Sequence, residues 1–76
     1  MAHFDQELDT SGLNCPMPVM QTKKALKNLA VGQILHLIAT DPGTKDDIPG
    51  LVEQLGCTIE SSAQDGGKYH FHIRKG

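Results

Sequence analysis

Tryptophan is missing from this sequence, tyrosine occurs once and phenylalanine twice. Beyond Phe4, Tyr69 and Phe71 there is therefore no platform on which nucleic-acid bases could stack. Positive charge is scarce as well: seven Lys and Arg stand against nine Asp and Glu, for a net charge of −2. A dedicated nucleic-acid binder would carry a strongly basic domain, so no direct nucleic-acid partner is expected. No apolar run approaches the ~20 residues that span a bilayer, and no membrane association is expected. The start of the chain, Met1-Ala2-His3-Phe4-Asp5, has neither a basic nor an apolar stretch, which predicts no secretory leader. Two cysteines are too few for a disulfide scaffold, so a reducing cytoplasm is the expected compartment.

What is present fits a small globular unit. The 76 residues are 38% hydrophobic and 21% charged, whereas a disordered chain is poorer in apolar residues and more highly charged. The length predicts one domain over 1–76, with a thin core, since a chain this small buries only about 60% of its unfolded surface.

Gln6 to Thr10 reads as a short strand closed by Ser11-Gly12. A helical pattern follows from Pro16 to about Ala30, with Val19, Thr22, Ala25, Leu26 and Leu29 on one face. Pro16 suits a first helical turn, and Gly32 is placed to end the helix. Gln33 to Thr40 alternates as a strand, Leu35, Leu37 and Ala39 pointing one way and Ile34, His36, Ile38 and Thr40 the other. After the turn at Asp41-Pro42-Gly43, Ile48, Leu51, Val52 and Leu55 fall at helical spacing up to Gly56. Pro49 predicts either a helix that begins there or an irregular turn from Thr44 ahead of it. Cys57 to Gln64 and Lys68 to Lys75 read as strands joined by a tight hairpin at Asp65-Gly66-Gly67. The order β-α-β-α-β-β predicts an α+β fold, a two-layer sandwich. Its four-stranded mixed sheet carries both helices on one face, and its first two strands are parallel.

Asn14-Cys15-Pro16-Met17-Pro18 is the segment that can carry chemistry. It lies where a loop enters the first helix, at Cys15 or the residue beside it. A helix start carries partial positive charge and unpaired amides. A thiolate there is stabilised and can titrate well below about 8.5, as a sulfur nucleophile near neutral pH requires. Pro16 and Pro18 lack an N–H, so Met17 and Val19 supply the amides of that turn, within a rigid and partly apolar rim. The plain alternative is that Cys15 is a small buried hydrophobe and the prolines only start a helix.

The segments LDTSGLNCPMPVMQTKKAL, ATDPGTKDDIP and GGKYHFHIRK resemble, in order and over nearly the whole chain, the TusA (SirA-like) family of small sulfur carriers. The CPxP motif of that family falls on Cys15, Pro16, Met17 and Pro18. The resemblance implies a βαβαββ sandwich and a persulfide carried on Cys15, with no cofactor and no metal. The implied donor is a cysteine desulfurase or a rhodanese. The implied acceptor is a sulfur-relay protein with an acceptor cysteine (DsrE/TusD-like), on the way to tRNA 2-thiouridine or oxidative sulfur metabolism. A carrier of this kind is expected to be a monomer when free. Weak thiosulfate sulfurtransferase activity would follow from the thiolate alone, so whether the chain counts as an enzyme is a matter of definition. The competing function is a non-catalytic regulatory or RNA-binding module on a similar fold, which leaves CPxP without a purpose.

Four further groups have readings of their own. Cys57 shares strand parity with Ile59, which favours a structural thiol over an auxiliary one. Lys23, Lys24 and Lys27 form a basic strip that is either a solvated face suited to a helix C-terminus or a docking strip for an acidic partner patch. Asp41, Asp46 and Asp47 surround the turn into the second helix, where they are expected to cap it, with partner contact as the alternative for Asp41 and Asp46. His36, His70 and His72 share the non-core parity and meet if their strands are neighbours. They would then be exposed strand polarity or, more weakly, half of a metal site.

Overall fold

The computed structural model describes residues 4–14 and 16–76, so Met1 to His3 and Cys15 lie outside the described residues. The element order is β1 (Gln6–Thr10), α1 (Met17–Lys27), β2 (Ile34–Ala39), α2 (Thr44–Gln54), β3 (Thr58–Asp65) and β4 (Lys68–Arg74). The strands lie in the order β1-β2-β4-β3. β1 runs parallel to β2 and the other pairs are antiparallel. This is the expected mixed sheet of an α+β sandwich.

Alternation along the strands divides the sheet into two unlike faces. Leu35 and Leu37 of β2 and Phe71 and Ile73 of β4 are buried under the helices. Against them pack Ala25 and Leu26 of α1 and Ile48, Leu51 and Val52 of α2. Both helices present the same spacing. Pro18, Thr22, Ala25 and Leu26 are the buried positions of α1, and Thr44, Ile48, Leu51 and Val52 those of α2, one stripe on each helix. The Thr22 hydroxyl, buried with that stripe, donates to the Pro18 carbonyl at 2.7 Å, which offsets its desolvation.

Three boundaries differ from the sequence expectation. α1 ends at Lys27 with Asn28 as its C-cap, and the amides of Asn28 and Leu29 bond to the carbonyls three residues back. These tightened bonds end the helix before Ala30. Gly32 instead sits in the following turn at φ +90, its amide donating to the Lys75 carbonyl at 2.8 Å. α2 runs unbroken through Pro49, so neither a start at Pro49 nor an irregular lead-in is correct. Proline there removes only the bond to the carbonyl of Lys45, an exposed residue and the second of the helix, while Ile48, Leu51 and Val52 bury the face that holds the helix down.

The third difference concerns capping. The N-cap of α2 is Gly43, with no side-chain cap bond. Its first amides go instead to the backbone carbonyls of Asp41, Pro42 and Gly43. Asp46 and Asp47 stand in the first turn, where they complement the helix dipole without capping it.

The β3–β4 hairpin closes on Gly66 and Gly67, at φ +55 and +83, the left-handed pair that a two-residue turn of this twist demands. A bulge between Ile59 and Ser61 leaves Glu60 as the extra residue and resets the pairing, so that Ser62 stands opposite Phe71.

Candidate functional site

The loop between β1 and α1 is held from both sides by direct hydrogen bonds. The Ser11 amide donates to Asp9 Oδ1 at 2.9 Å, and the Gly12 amide donates to Thr40 Oγ1 at 2.8 Å. The Leu13 amide donates to the Thr10 carbonyl at 3.1 Å. Thr10 is itself fixed, its buried hydroxyl donating to the Ile38 carbonyl at 2.6 Å. Ser11, through its side chain and its amide, holds the Asp9 carboxyl below its usual range; burial opposes this and Lys68 adds to it. Because β1 and β2 are parallel, both strands end at the same edge, and Thr40 can reach across to the loop that follows β1.

Cys15, the expected catalytic residue, lies outside the described residues, but its neighbours on both sides are defined. Pro16 is the N-cap of α1 and has no side-chain cap bond, and the first turn holds no acidic residue. The positive end of the helix is thus left without a carboxylate of its own, while Lys24 and Lys27 occupy the last turn at the negative end. The Met17 amide, expected to be available in that turn, donates to the Asn14 carbonyl at 2.9 Å. Pro16 and Met17 are exposed, whereas Pro18 is buried against the core.

Two surfaces flank this segment. On one side a cleft of about 400 Å³ is lined by Pro16, Val19, Asp46, Asp47, Gly50, Leu51 and Gln54. Asp46 therefore joins the wall beside the CPxP segment. Asp41 sits in the turn after β2, where its carbonyl takes the Thr44 amide and its Oδ2 lies 3.2 Å from where a Cβ on Gly43 would stand. On the other side Met20, Lys23, Lys24 and Lys27 border a shallow hollow of about 300 Å³. The three lysines thus share one exposed face of α1, as expected.

The partly apolar rim expected from the sequence extends further than the CPxP residues, to Leu13 and Met20. Leu13, Met17 and Met20 are 37%, 39% and 58% exposed, which lines them up along the loop and the outer face of α1. The signal was there in the two methionines, which fall out of phase with the buried stripe. Sequence reading missed Thr40 as an anchor, since no local pattern links residues 28 positions apart.

The remaining candidates lie elsewhere. Cys57 is a free, half-buried thiol packed against the core cluster, its sulfur 3.9 Å from the Leu55 carbonyl. His36, His70 and His72 do meet, on the sheet face opposite the helices. Among the described residues, however, no group of His, Cys, Asp or Glu is arranged to hold a metal ion. Nor, among them, is any helix long and apolar enough to cross a membrane.

Comparison with known proteins brings in the family. The chain matches the protein family described as "Sulfurtransferase TusA" over residues 6–75. It is 52% identical over 75 residues to the sulfur carrier protein TusA of Allochromatium vinosum, covering 99% of each chain. Its identity to the sulfur carrier protein TusA of Pseudomonas putida strain GB-1 is 45% over 71 residues, covering 93% of this chain and 89% of that one. A crystal structure of a SirA-like protein from Desulfitobacterium hafniense has the same fold, with a TM-score of 0.83 at 24% identity over 95% of this chain and 99% of the other.

Proposed function

Since the chain belongs to the TusA sulfurtransferase family, we propose that it is a sulfur carrier whose working group is the thiol of Cys15. The observation that carries this reading is the CPxP segment at the entrance to α1, on a loop pinned by Asp9, Thr10 and Thr40. A thiolate at that helix start meets the positive end of the dipole with no carboxylate in the first turn to compete.

In loading, the Cys15 thiolate attacks the outer sulfur of a donor persulfide. A new S–S bond forms at Cys15 as the donor's own S–S bond breaks, and the donor cysteine leaves as a thiolate. In unloading, an acceptor thiolate attacks the outer sulfur on Cys15 and the Cys15 thiolate is the leaving group. The sulfane sulfur keeps its oxidation level through both steps, so neither an external oxidant nor a cofactor is consumed. Pro16, Met17 and Pro18 shape the rim around the thiol.

A carrier works between a protein that supplies sulfur and one that takes it. We assign the supply to a cysteine desulfurase or rhodanese and the uptake to a DsrE/TusD-like relay protein, within a reducing cytoplasm and by a single module over 1–76. The Lys23, Lys24 and Lys27 face, with Asp46 across the cleft and Asp41 at the turn before α2, supplies charges of both signs for docking.

The test is intact-protein mass spectrometry of the wild type, Cys15→Ser and Cys57→Ser after exposure to polysulfide or to a cysteine desulfurase with cysteine. The expected result is a gain of one sulfur atom, reversed by reductant, in wild type and Cys57→Ser but not in Cys15→Ser. Sulfur that follows Cys57, or fails to load, overturns the reading.

A further inference from the structure

The face of the sheet that the helices do not cover carries three imidazoles in mutual contact. His36 of β2 stands opposite His72 of β4, and His70 is its diagonal neighbour. The rings of His36 and His72 are parallel to within 4°, with centroids 4.5 Å apart. The rings of His36 and His70 are arranged differently. Their nearest nitrogens, His36 Nε2 and His70 Nδ1, are 3.0 Å apart, while the centroids are 5.2 Å apart and the planes 21° apart. A centroid separation that exceeds the N–N distance by about two ring radii places these rings end to end. They form an imidazole–imidazole hydrogen bond, with one ring donating and the other accepting.

That bond holds a single proton between the two nitrogens. If both carry one, two N–H groups face each other and the bond is lost. The other nitrogen of His36 sharpens the constraint, because Nδ1 is buried and has no hydrogen-bond partner. Protonating it would bury an unpaired N–H together with a positive charge. His72, held by Ser61 Oγ at 3.1 Å from its Nδ1, places any charge of its own directly over the His36 ring.

We infer that His36, His70 and His72 form a proton-operated switch on the open face of the sheet. The pair keeps its bond while one of the two facing nitrogens is bare and loses it when both His36 and His70 are charged, and a charge on His72 repels one on the His36 ring stacked against it. The imidazole cluster is then neutral and closed above the switching range, and multiply charged and open below it.

The surroundings of the cluster set the direction. Burial and then the charge of His72 hold His36 below the ordinary imidazole range, with Glu7 of β1 opposing and His70 adding to the fall. Glu7 is the residue that faces His36 from β1. On the β3 side the pairing residue, Ser61, is neutral, and Glu60 next to it reaches Arg74 at 3.6 Å. Further along the same face Asp9 and Lys68 influence each other. Phe4 from the segment before β1 tilts over His36 and His72, at 5.1 and 6.3 Å between centroids, and so reports on any movement of the rings.

For a base whose folded value is depressed, the unfolded chain takes up the proton first. Stability is therefore whole above the unfolded value, near pH 6.5, and is lost as pH falls from there through the folded value.

The experiment is an NMR titration of the imidazole nitrogens of the whole chain from pH 8 to pH 5, with urea unfolding midpoints measured across the same range. Wild type, His72→Leu and His36→Leu are compared. His36 is expected to hold a bare Nδ1 at pH 8 and to take its proton at lower pH in wild type than in His72→Leu. The Phe4 ring signals should shift with it. The urea midpoint should fall with acid in wild type and fall less in His36→Leu. Equal His36 titration in wild type and His72→Leu, or a protonated Nδ1 at pH 8, overturns the switch. The wild-type spectra decide the second point even if a variant fails to fold.

Discussion

Gly12 and Thr40 stand 28 residues apart in sequence and are joined by one hydrogen bond of 2.8 Å from the Gly12 amide to the Thr40 hydroxyl. It ties the loop that leads to Cys15 to the end of the neighbouring strand, and removing it should be felt at the thiol rather than in the core. Thr40→Val keeps the side-chain shape and deletes the acceptor. It should cost about 1 kcal/mol or less of stability, because the bond is exposed and water can replace it. Sulfur loading at Cys15 should slow by up to about fivefold, the rate equivalent of that energy. Thr40→Ser should restore the rate, and equal rates in wild type and Thr40→Val, measured by timed mass spectrometry, would show that the tether does not position the thiol.

Reversing two charges on α1 tests the docking face. Lys24→Glu with Lys27→Glu should slow sulfur transfer from a donor with an acidic patch at low salt, and the difference should vanish near 1 M salt, where the Debye length is about 3 Å. Loading from polysulfide, which needs no docking, should be unchanged. A transfer rate indifferent to both substitutions at low salt leaves the lysines as a solvated face.

The core is thin enough that one side chain matters. Leu26 is fully buried between α1 and the sheet, and Leu26→Ala should cost roughly 2–5 kcal/mol. That is a large share of the roughly 5–15 kcal/mol that holds a domain folded. Urea unfolding followed by circular dichroism would check it, and a loss under about 1 kcal/mol would mean that the neighbouring side chains close over the cavity.

The parts of this molecule that were legible in its sequence are those that repeat locally. Leu35 and Leu37 alternating with His36, and Thr22, Ala25 and Leu26 at helical spacing, are patterns a few residues long, and they gave the strands, the helices and the buried face. The place of Pro16 at the start of α1 followed from proline chemistry. Pro49 misled because the rule against proline in helices weighs one lost bond, and here the burial of Ile48, Leu51 and Val52 outweighs it.

The aspartates misled in a similar way, since short polar side chains favour caps. The backbone of the Asp41–Gly43 turn already satisfied those amides. The contact between Gly12 and Thr40 and the end-to-end pairing of His36 with His70 depend on strand register and ring orientation, which no local pattern encodes. Parity could bring the three histidines to one face, but it could not say whether their nitrogens converge on an ion or share a proton.

The parallel pairing of β1 with β2 also decides where attachments can go. Asp5 is bonded at the start of β2, to the carbonyl and amide of Ile34, and Lys75 is bonded beside it to Gln33 and Gly32. The loop tied to Thr40 lies at the other end of β2, a six-residue strand and so about 20 Å away. A tag, fluorophore or fused partner joined before Phe4 or after Lys75 therefore leaves the sheet from the side remote from that loop. Labelled forms of the carrier can be built at either position without crowding the surface on which sulfur would change hands.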